Sequence, residues 1–528
     1  MYDVAIIGFG PTGAVAAGML GKMGVKTLVL DRSETIYDKP RAIALDHEIM
    51  RVFQHLGVAR AIAPYVAPYP ASEYRGVDGR IIKRLDAAPP PNPLGWPPNL
   101  SFTQPPVEAA LRAGAQVHDS VHIRLGVEVE GLAPSTDFVT LALRGESGLT
   151  SEQARYVIAC DGANSTVRRL AKLDLEDLDF DEPWLVVDVT VSPEALDRLP
   201  TVNVQYCEPS RPATYVVGPG NHRRWEIMLH EDEDPLQFAD ESAVWKMLER
   251  WVTPADAAIW RSATYRFHAL VASTWHQGHV FIAGDAAHQQ PPFLGQGMCQ
   301  GVRDAVNLTW KLEAVLGGRA NASLLDTYEV ERSEHVRTLT NTIKALGRFV
   351  CERDLTKAIA RDEKLIAEMG GSVKTALRQD LIPSLVSGFL SSVQHAAVGT
   401  MFPQPRIAPK GELMDDNTEC GLRLIVCDAV LDEDVAFVQR KKTSWPPSVV
   451  RICGIETTQG ASKIADILDL TELDNVASDW FSRHQCVAAL IRPDNYVFGV
   501  ARDTAAINRL LDEADEKLAG QRAPSCVG

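Results

Sequence analysis

Cysteine is sparse and poorly placed for covalent or metal staples in this 528-residue chain. Its nine copies, at positions 160, 207, 299, 351, 420, 427, 453, 486 and 526, are scattered, odd in number and without a CxxC pair. That excludes a disulfide framework and argues for reduced thiols in a cytoplasmic protein. No apolar run reaches the ~18 residues of a membrane span. Asp3 stands where a secretory leader would need basic charge, so none is expected. Positive charge is in deficit: 53 Lys and Arg face 69 Asp and Glu, a net −16. Such a balance does not suit a partner of nucleic acid or of an anionic membrane. No metal site is expected either. His47-Glu48 lacks the second histidine of a metalloprotease helix, and His276 and His279 read as loop.

What is present is ordinary globular composition, 45% hydrophobic and 23% charged, at a length that predicts two or three domains. Two glycine-punctuated segments carry the chemistry. Residues 2–7 read as a buried strand, Gly8-Phe9-Gly10-Pro11-Thr12-Gly13 as a tight turn, and Thr12–Lys22 as a helix. A second strand, Val25–Leu30, ends at Asp31. Gly8 permits the turn, Gly10 lets the backbone approach a pyrophosphate, and Gly13 lets helix and strand pack closely. The helix start offers free N–H groups, and Asp31 is correctly spaced to accept hydrogen bonds from a ribose, with Arg32 beside it. Some 270 residues later the strand Val280–Ala283 runs into Gly284-Asp285-Ala286-Ala287-His288, followed by Pro292 and Gly295-Gln296-Gly297-Met298. An acid there suits a ribityl chain and pyrophosphate. A helix over 298–316, apolar at Val302, Ala305, Leu308, Leu312 and Val315, would start beside a flavin ring. Together the segments predict FAD held at both ends. No second GxGxxG serves a nicotinamide cofactor.

With Cys160-Asp161-Gly162-Ala163-Asn164-Ser165-Thr166-Val167-Arg168 between them, after the apolar strand 156–159, these motifs resemble the class A flavoprotein aromatic hydroxylases. Residues 38–46, Gly95-Trp96-Pro97, Phe102-Thr103-Gln104-Pro105, 184–188 and 296–312 narrow the resemblance to the 3-(3-hydroxyphenyl)propionate hydroxylases. The resemblance implies that Arg41, Gln104, Asp161, Gly162, Arg168, Gly284, Asp285, Gly295, Gln296, Gly297 and Met298 contact FAD, besides Gly8, Gly10, Gly13, Asp31 and Arg32. It sets Pro292 against the reactive edge of the flavin. It implies an enzyme that consumes NADH or NADPH and O2 and hydroxylates a phenol through a flavin C4a-hydroperoxide. His288 is a candidate for deprotonating that phenol.

The implied fold is α/β. Residues 1–180 and 265–395 form a Rossmann-type FAD domain, and an inserted sheet over 181–264 binds substrate. The proline-rich stretch 68–100, read as loop, contributes to it. Residues 396–528 form a thioredoxin-like C-terminal domain with strands at 422–426, 449–452 and 487–491 and helices near 461–470 and 505–519. Trp184, Tyr215, Trp225, Met228 and Pro292 are candidates for lining a phenol pocket. Arg211, Arg223 and Arg224 are candidates for a substrate carboxylate or for solvated surface. The partners expected are a small phenol and O2, with a homodimer left open. A direct FAD oxidase or dehydrogenase, and a flavin-holding assembly protein, remain as rival readings.

Overall fold

The computed structural model describes residues 1–370, 373, 375–431, 438, 441–454 and 467–520. The strand Tyr2–Ile7 is buried along its length and lies parallel to Thr27–Asp31 on one side and to Gly148–Ala159 on the other; Gly148–Ala159 in turn runs parallel to Val280–Ile282. Register brings Ile7, Leu30, Ala159 and Ile282 to one edge. Three motifs follow directly from these strand ends: the glycine turn, Asp161-Gly162 and Gly284-Asp285. A parallel sheet places ligand chemistry there because every strand exits on the same side. The sheet has eight strands in all and shares one core with the helices Pro11–Lys22 and Gly297–Leu316.

A second sheet of nine strands is the roof. Its order runs from His288–Gln289 through Ala257–Ala272, Leu175–Val191, His222–Met228, Ala213–Val217 and Asn203–Tyr206, to Ala71–Arg75, Ile81–Asp86 and Thr375–Leu377. The hairpin 71–86 corrects the reading of 68–100 as loop. The prolines cluster at 89–98, after the strands, and Ala71–Arg75 pairs parallel with Asn203–Tyr206. The roof is sealed on its far face by a core containing Leu185, Val187, Tyr215, Trp225 and Ile227.

A five-stranded mixed sheet forms the C-terminal part, with Arg423–Cys427 at its centre between Ser448–Cys453 and Ala488–Ile491. The helix expected near 461–470 is corrected in part. Ile467–Thr471 is a strand, parallel to Ser448–Cys453, and 461–466 lie outside the described residues. A short apolar run fits either period, and the open sheet edge decides it. This part docks on the long helix Gly297–Leu316: Trp310 and Ala314 enter its core, and Arg492 bridges Glu331 and Asp494 at 2.7 and 2.6 Å. No helix among the described residues is long and apolar enough to cross a membrane. Their eight cysteines are all unpaired, and Cys526 lies outside them.

Candidate active site

The three glycines of the first turn are required for three different reasons. Gly8 has φ +96°, a backbone that favours glycine. A side chain at Gly13 would strike the Gly8 carbonyl oxygen at 2.0 Å. Gly10 has φ −67°, open to any residue, and a Cβ there would meet nothing within 4 Å. Its side chain is missing in favour of empty space, and that space belongs to a groove. The same holds at Gly162 and Gly297, where an added Cβ also meets nothing within 4 Å. Two adjoining cavities, of about 220 and about 450 Å³, share Gly10, Arg41, Cys160 and Gly162. The smaller is lined by Asp31, Arg32 and Asp161, and the larger by Asp285, Pro292, Gly295, Gly297 and Met298. A long groove padded by glycine backbone, with a helix start at its middle, fits a flavin dinucleotide.

Asp31 accepts from the Phe9 and Ser33 N–H groups, both at 2.7 Å, which fixes its carboxylate at the mouth of the smaller cavity. Asp161 caps the short helix Thr166–Leu170, accepting from the Val167 N–H at 3.1 Å and from the Ser165 hydroxyl. The Asp285 carboxylate opens onto the larger cavity. Desolvation in the cavity wall raises its pKa, with His288 and Arg41 opposing the rise and Asp304 adding to it.

Several residues expected to touch the cofactor have other work. The Gln104 carbonyl oxygen accepts from the N–H groups of Arg41 and Ala42 at 3.0 and 2.6 Å, and its amide donates to Glu108 at 3.2 Å. It positions the Arg41 loop while also lining the cavity. Arg168 is corrected: its guanidinium donates to the carbonyls of Ala286 and Ala163, both at 2.9 Å, stapling two motifs together away from either cavity. Gln296 is corrected as well. Its amide donates to Asp46 at 3.1 Å and its oxygen accepts from Arg303 at 2.9 Å, so the side chain turns into a buried network. Gly284, at φ +62°, packs against Thr12 and donates its N–H to Asp304 at 2.9 Å. The Pro292 ring lines the larger cavity, while its carbonyl accepts from the Gly295 N–H at 2.7 Å and closes a turn.

His288 lines the larger cavity but is only 1% exposed. Nε2 sits 2.7 Å from Asp304 Oδ2, and the ring stacks on Trp275. Burial pushes Asp304 up, but His288 and Arg332 outweigh it and hold the carboxyl below its ordinary value. Nδ1 has no partner and no solvent contact. The ring is clamped between a helix and a tryptophan, an arrangement that suits a positioning residue.

Of the substrate-side expectations Pro292 lines the larger cavity, while Tyr215 and Trp225 fail on strand parity. Successive strand residues face opposite sides. On His222–Met228 the cavity-facing residues are Arg224 and Glu226, and Trp225 faces the far core; on Ala213–Val217 they are Thr214 and Val216, with Tyr215 on the far face donating its hydroxyl to Pro200 O at 3.0 Å. Trp184 and Met228 share the near face but pack with Phe293, outside the cavity wall. The wall that sequence reasoning missed includes Tyr69, Ser72, Tyr74, Asn203, Gln205, Thr214, Glu226, Arg261, Phe267 and Arg378. A weak signal existed in the polar residues alternating through apolar strands, as in Arg224-Trp225-Glu226-Ile227.

Asp188 anchors this wall. It is fully buried and accepts from Arg224 at 2.7 and 3.1 Å and from Arg261 at 3.4 Å, with His222 Nε2 at 2.8 Å. Arg224 also donates to the carbonyls of Arg41 and Pro40, tying the roof to the cofactor groove. Arg211 is held by Glu233 at 2.6 and 3.0 Å, and Arg223 by the carbonyls of Gly218, Gly220 and His222. Arg211 and Arg224 are thus paired with carboxylates, and Arg223 is held by carbonyls through Nη1.

Comparison with known proteins agrees with this geometry. Residues 1–342 match the family described as FAD binding domain, and 399–517 the HcaD C-terminal domain. The chain is 36% identical over 519 residues to a probable NADH-specific resorcinol 4-hydroxylase of Rhodococcus jostii, covering 97% of this chain and 94% of the relative. It is 34% identical to a 3-(3-hydroxy-phenyl)propionate/3-hydroxycinnamic acid hydroxylase of Mycolicibacterium smegmatis, over 80% and 76%. Among solved structures, p-nitrophenol 4-monooxygenase PnpA of Pseudomonas putida is 25% identical, with TM-score 0.65, over 72% of this chain and 96% of that one. The flavin-dependent monooxygenase PieE, at 19% identity and TM-score 0.79, over 97% and 99%, shares the fold. With the matched family spanning most of the chain and a relative covering nearly all of it, the protein belongs to the class A flavoprotein aromatic hydroxylases.

Proposed function

We propose that this FAD-dependent monooxygenase, which consumes a reduced nicotinamide cofactor and O2, hydroxylates a single-ring phenol of the kind named for its relatives. The observation that carries the reading is the continuity of the groove. A glycine-padded channel suited to a dinucleotide runs from Asp31 past Asp285 and opens, at Pro292, under a wall of hydrogen-bonding side chains. Residues 1–180 and 265–395 would hold the cofactor, and 181–264 with 68–100 would hold the phenol, leaving 396–528 to brace the long helix.

FAD, when bound, would supply the redox chemistry, namely hydride acceptance from NADH or NADPH and transfer of one atom of O2 to the ring with the other leaving as water. The chain's own contribution is placement, exclusion of water and control of a proton. Gly8, Gly10, Gly13, Asp31, Arg41, Asp161, Gly162, Asp285, Gly295, Gly297 and Met298 are the residues we assign to the cofactor. Trp184, Phe267 and Phe293 stack edge and face beside the cavity and close that side to solvent. Gln205 and Thr214, joined by a 2.6 Å bond, present polar edges to the ring. Glu226 is the group we assign to the phenolic proton. Burial pushes its pKa up to about 7, against the pull of Arg224, so it exchanges a proton near neutral pH.

The test is aerobic oxidation of NADH and of NADPH by the yellow holoenzyme across a panel of phenols, with product mass recorded. The expected result is an oxidation rate that rises with one phenol, NADH preferred as in the relative named for it, and product heavier by one oxygen. Reduction of the flavin by the phenol itself, without NADH, would replace this reading with an oxidase.

A further inference from the structure

A buried cation without a counter-charge is expensive, so buried arginines are normally paired. The described part of this chain obeys that rule with an exception in the active-site cavity. Arg51 and Arg423 lie on Asp415, Arg112 on Glu108, Arg224 and Arg261 on Asp188, Arg303 on Asp46 and Glu48, Arg332 on Asp304, and Arg492 on Glu331 and Asp494. Arg168 lacks a carboxylate, but carbonyls fill both its terminal nitrogens and it faces no cavity.

Arg378 is different. It is 3% exposed and lines the larger cavity. Nη2 donates to the Leu294 carbonyl, two residues beyond Pro292, which fixes the guanidinium beside the turn that borders the flavin end. Nη1 is buried and has no partner, and no carboxylate among the described residues lies within ion-pair distance. Asp46 is near enough to feel the charge, but Arg303, Gln296 and the Ile49 N–H already occupy its oxygens. The neighbouring walls, Tyr69, Ser72, Tyr74 and Leu85, bring no negative charge.

Resting on the hydroxylase reading above, we propose that Arg378 is the subsite for a carboxylate carried by the phenolic substrate. A guanidinium with an unfilled donor, anchored at one end and desolvated, matches a carboxylate in geometry and charge. The ring then lies between that anchor and the Glu226 wall, so the acid arm fixes which ring edge meets the cofactor. A neutral phenol leaves the guanidinium unpaired and binds more weakly. The site thus selects acid-bearing phenols over neutral ones such as resorcinol.

The experiment uses holoenzyme and three probes: 3-(3-hydroxyphenyl)propionate, its methyl ester and resorcinol. Two readouts are taken. One is Kd, from the change in the flavin visible spectrum on titration; the other is kcat/KM, from NADH oxidation corrected for oxygenated product. The wild-type protein should bind the acid well ahead of the ester. In Arg378→Met the acid-to-ester ratio should fall about 100-fold in both readouts, the loss expected when one member of a desolvated charge pair is removed. Arg378→Lys should recover part of it, since charge survives without the fork. Equal losses on acid and ester in Arg378→Met would overturn the assignment and leave a packing role. So would a wild-type protein that binds ester and acid alike, an arm that needs no variant to fold. Turnover of no phenol at all would instead sink the hydroxylase reading, while the binding titration still reports on Arg378.

Discussion

The two faces of the nine-stranded roof are built from the same strands, often from adjacent residues, and have opposite chemistry. The far face holds Leu185, Val187, Val204, Tyr215, Trp225 and Ile227 in a closed apolar core. The near face holds Asn203, Gln205, Thr214, Arg224 and Glu226 against the cavity. The difference shows where a ligand belongs. The far side is apolar and sealed from water, whereas the hydrogen-bonding groups of these strands lie on the side where a ligand supplies what the protein leaves unfilled, with Trp184, Tyr74 and Phe267 packed beside them. Far-face residues should therefore govern stability, and near-face residues should govern pH dependence and substrate affinity.

Trp225→Ala should produce the largest effect. Trp225 is fully buried against Tyr215 and Trp251. Removing so large a side chain from a sealed core costs about 3–5 kcal/mol. Thermal or denaturant unfolding should show that loss, while the KM of whatever folded fraction remains should change little. If the variant keeps its stability but loses phenol affinity, the two faces have been assigned in reverse.

Glu226→Gln comes next and carries a sign. Burial lifts the Glu226 carboxyl from 4.5 to about 7. Between those values the folded protein holds a proton that the unfolded chain has released. Stability is therefore lost as pH rises through that window and remains lower above it. Glutamine mimics the protonated form and does not titrate. The variant should match wild type near pH 4 and exceed its stability at pH 8 by up to about 3 kcal/mol. Its kcat/KM should also lose the rise near pH 7 that a proton-accepting Glu226 gives the wild type. Parallel stability curves for the two proteins would break the assignment of Glu226 as a desolvated carboxyl.

The fold was legible where local chemistry and strand topology coincide. Gly8, Gly10 and Gly13, Asp161-Gly162 and Gly284-Asp285 each announce a turn at a strand end, and parallel pairing gathers those ends. Tyr215 and Trp225 were misplaced because alternation reveals a period but not which side of the sheet faces the cavity, and a sheet covered on both faces gives few compositional hints; Trp184 and Met228 lie on the near face but pack with Phe293 beside the cavity. Gln296 and Arg168 were legible as polar residues near the cofactor motifs. Partners that turn them away from the cavity, Asp46 for Gln296 and the Ala286 carbonyl for Arg168, arrive from far along the chain. Arg378 gave no signal at all, since its importance lies in a missing partner that only assembled packing reveals.

Thr214→Val gives the smallest effect and is the most direct probe of the near face. The Thr214 hydroxyl donates to Gln205 Oε1 at 2.6 Å within a single cross-strand pair. Valine keeps the shape and the strand preference, so what is lost is one hydrogen bond, worth about 1 kcal/mol or less net beside a water-accessible cavity. The consequence should fall on ligand recognition, because the Gln205 amide loses the contact that fixes its orientation toward the ring. KM should rise several-fold with kcat nearly constant, the pattern of a group that holds substrate and transition state equally. Adding Trp225→Ala should leave that KM ratio intact, since the two side chains occupy opposite faces. A strong dependence of one on the other would mean that the sheet transmits packing from its sealed side to its open one, and the two faces could no longer be treated as independent.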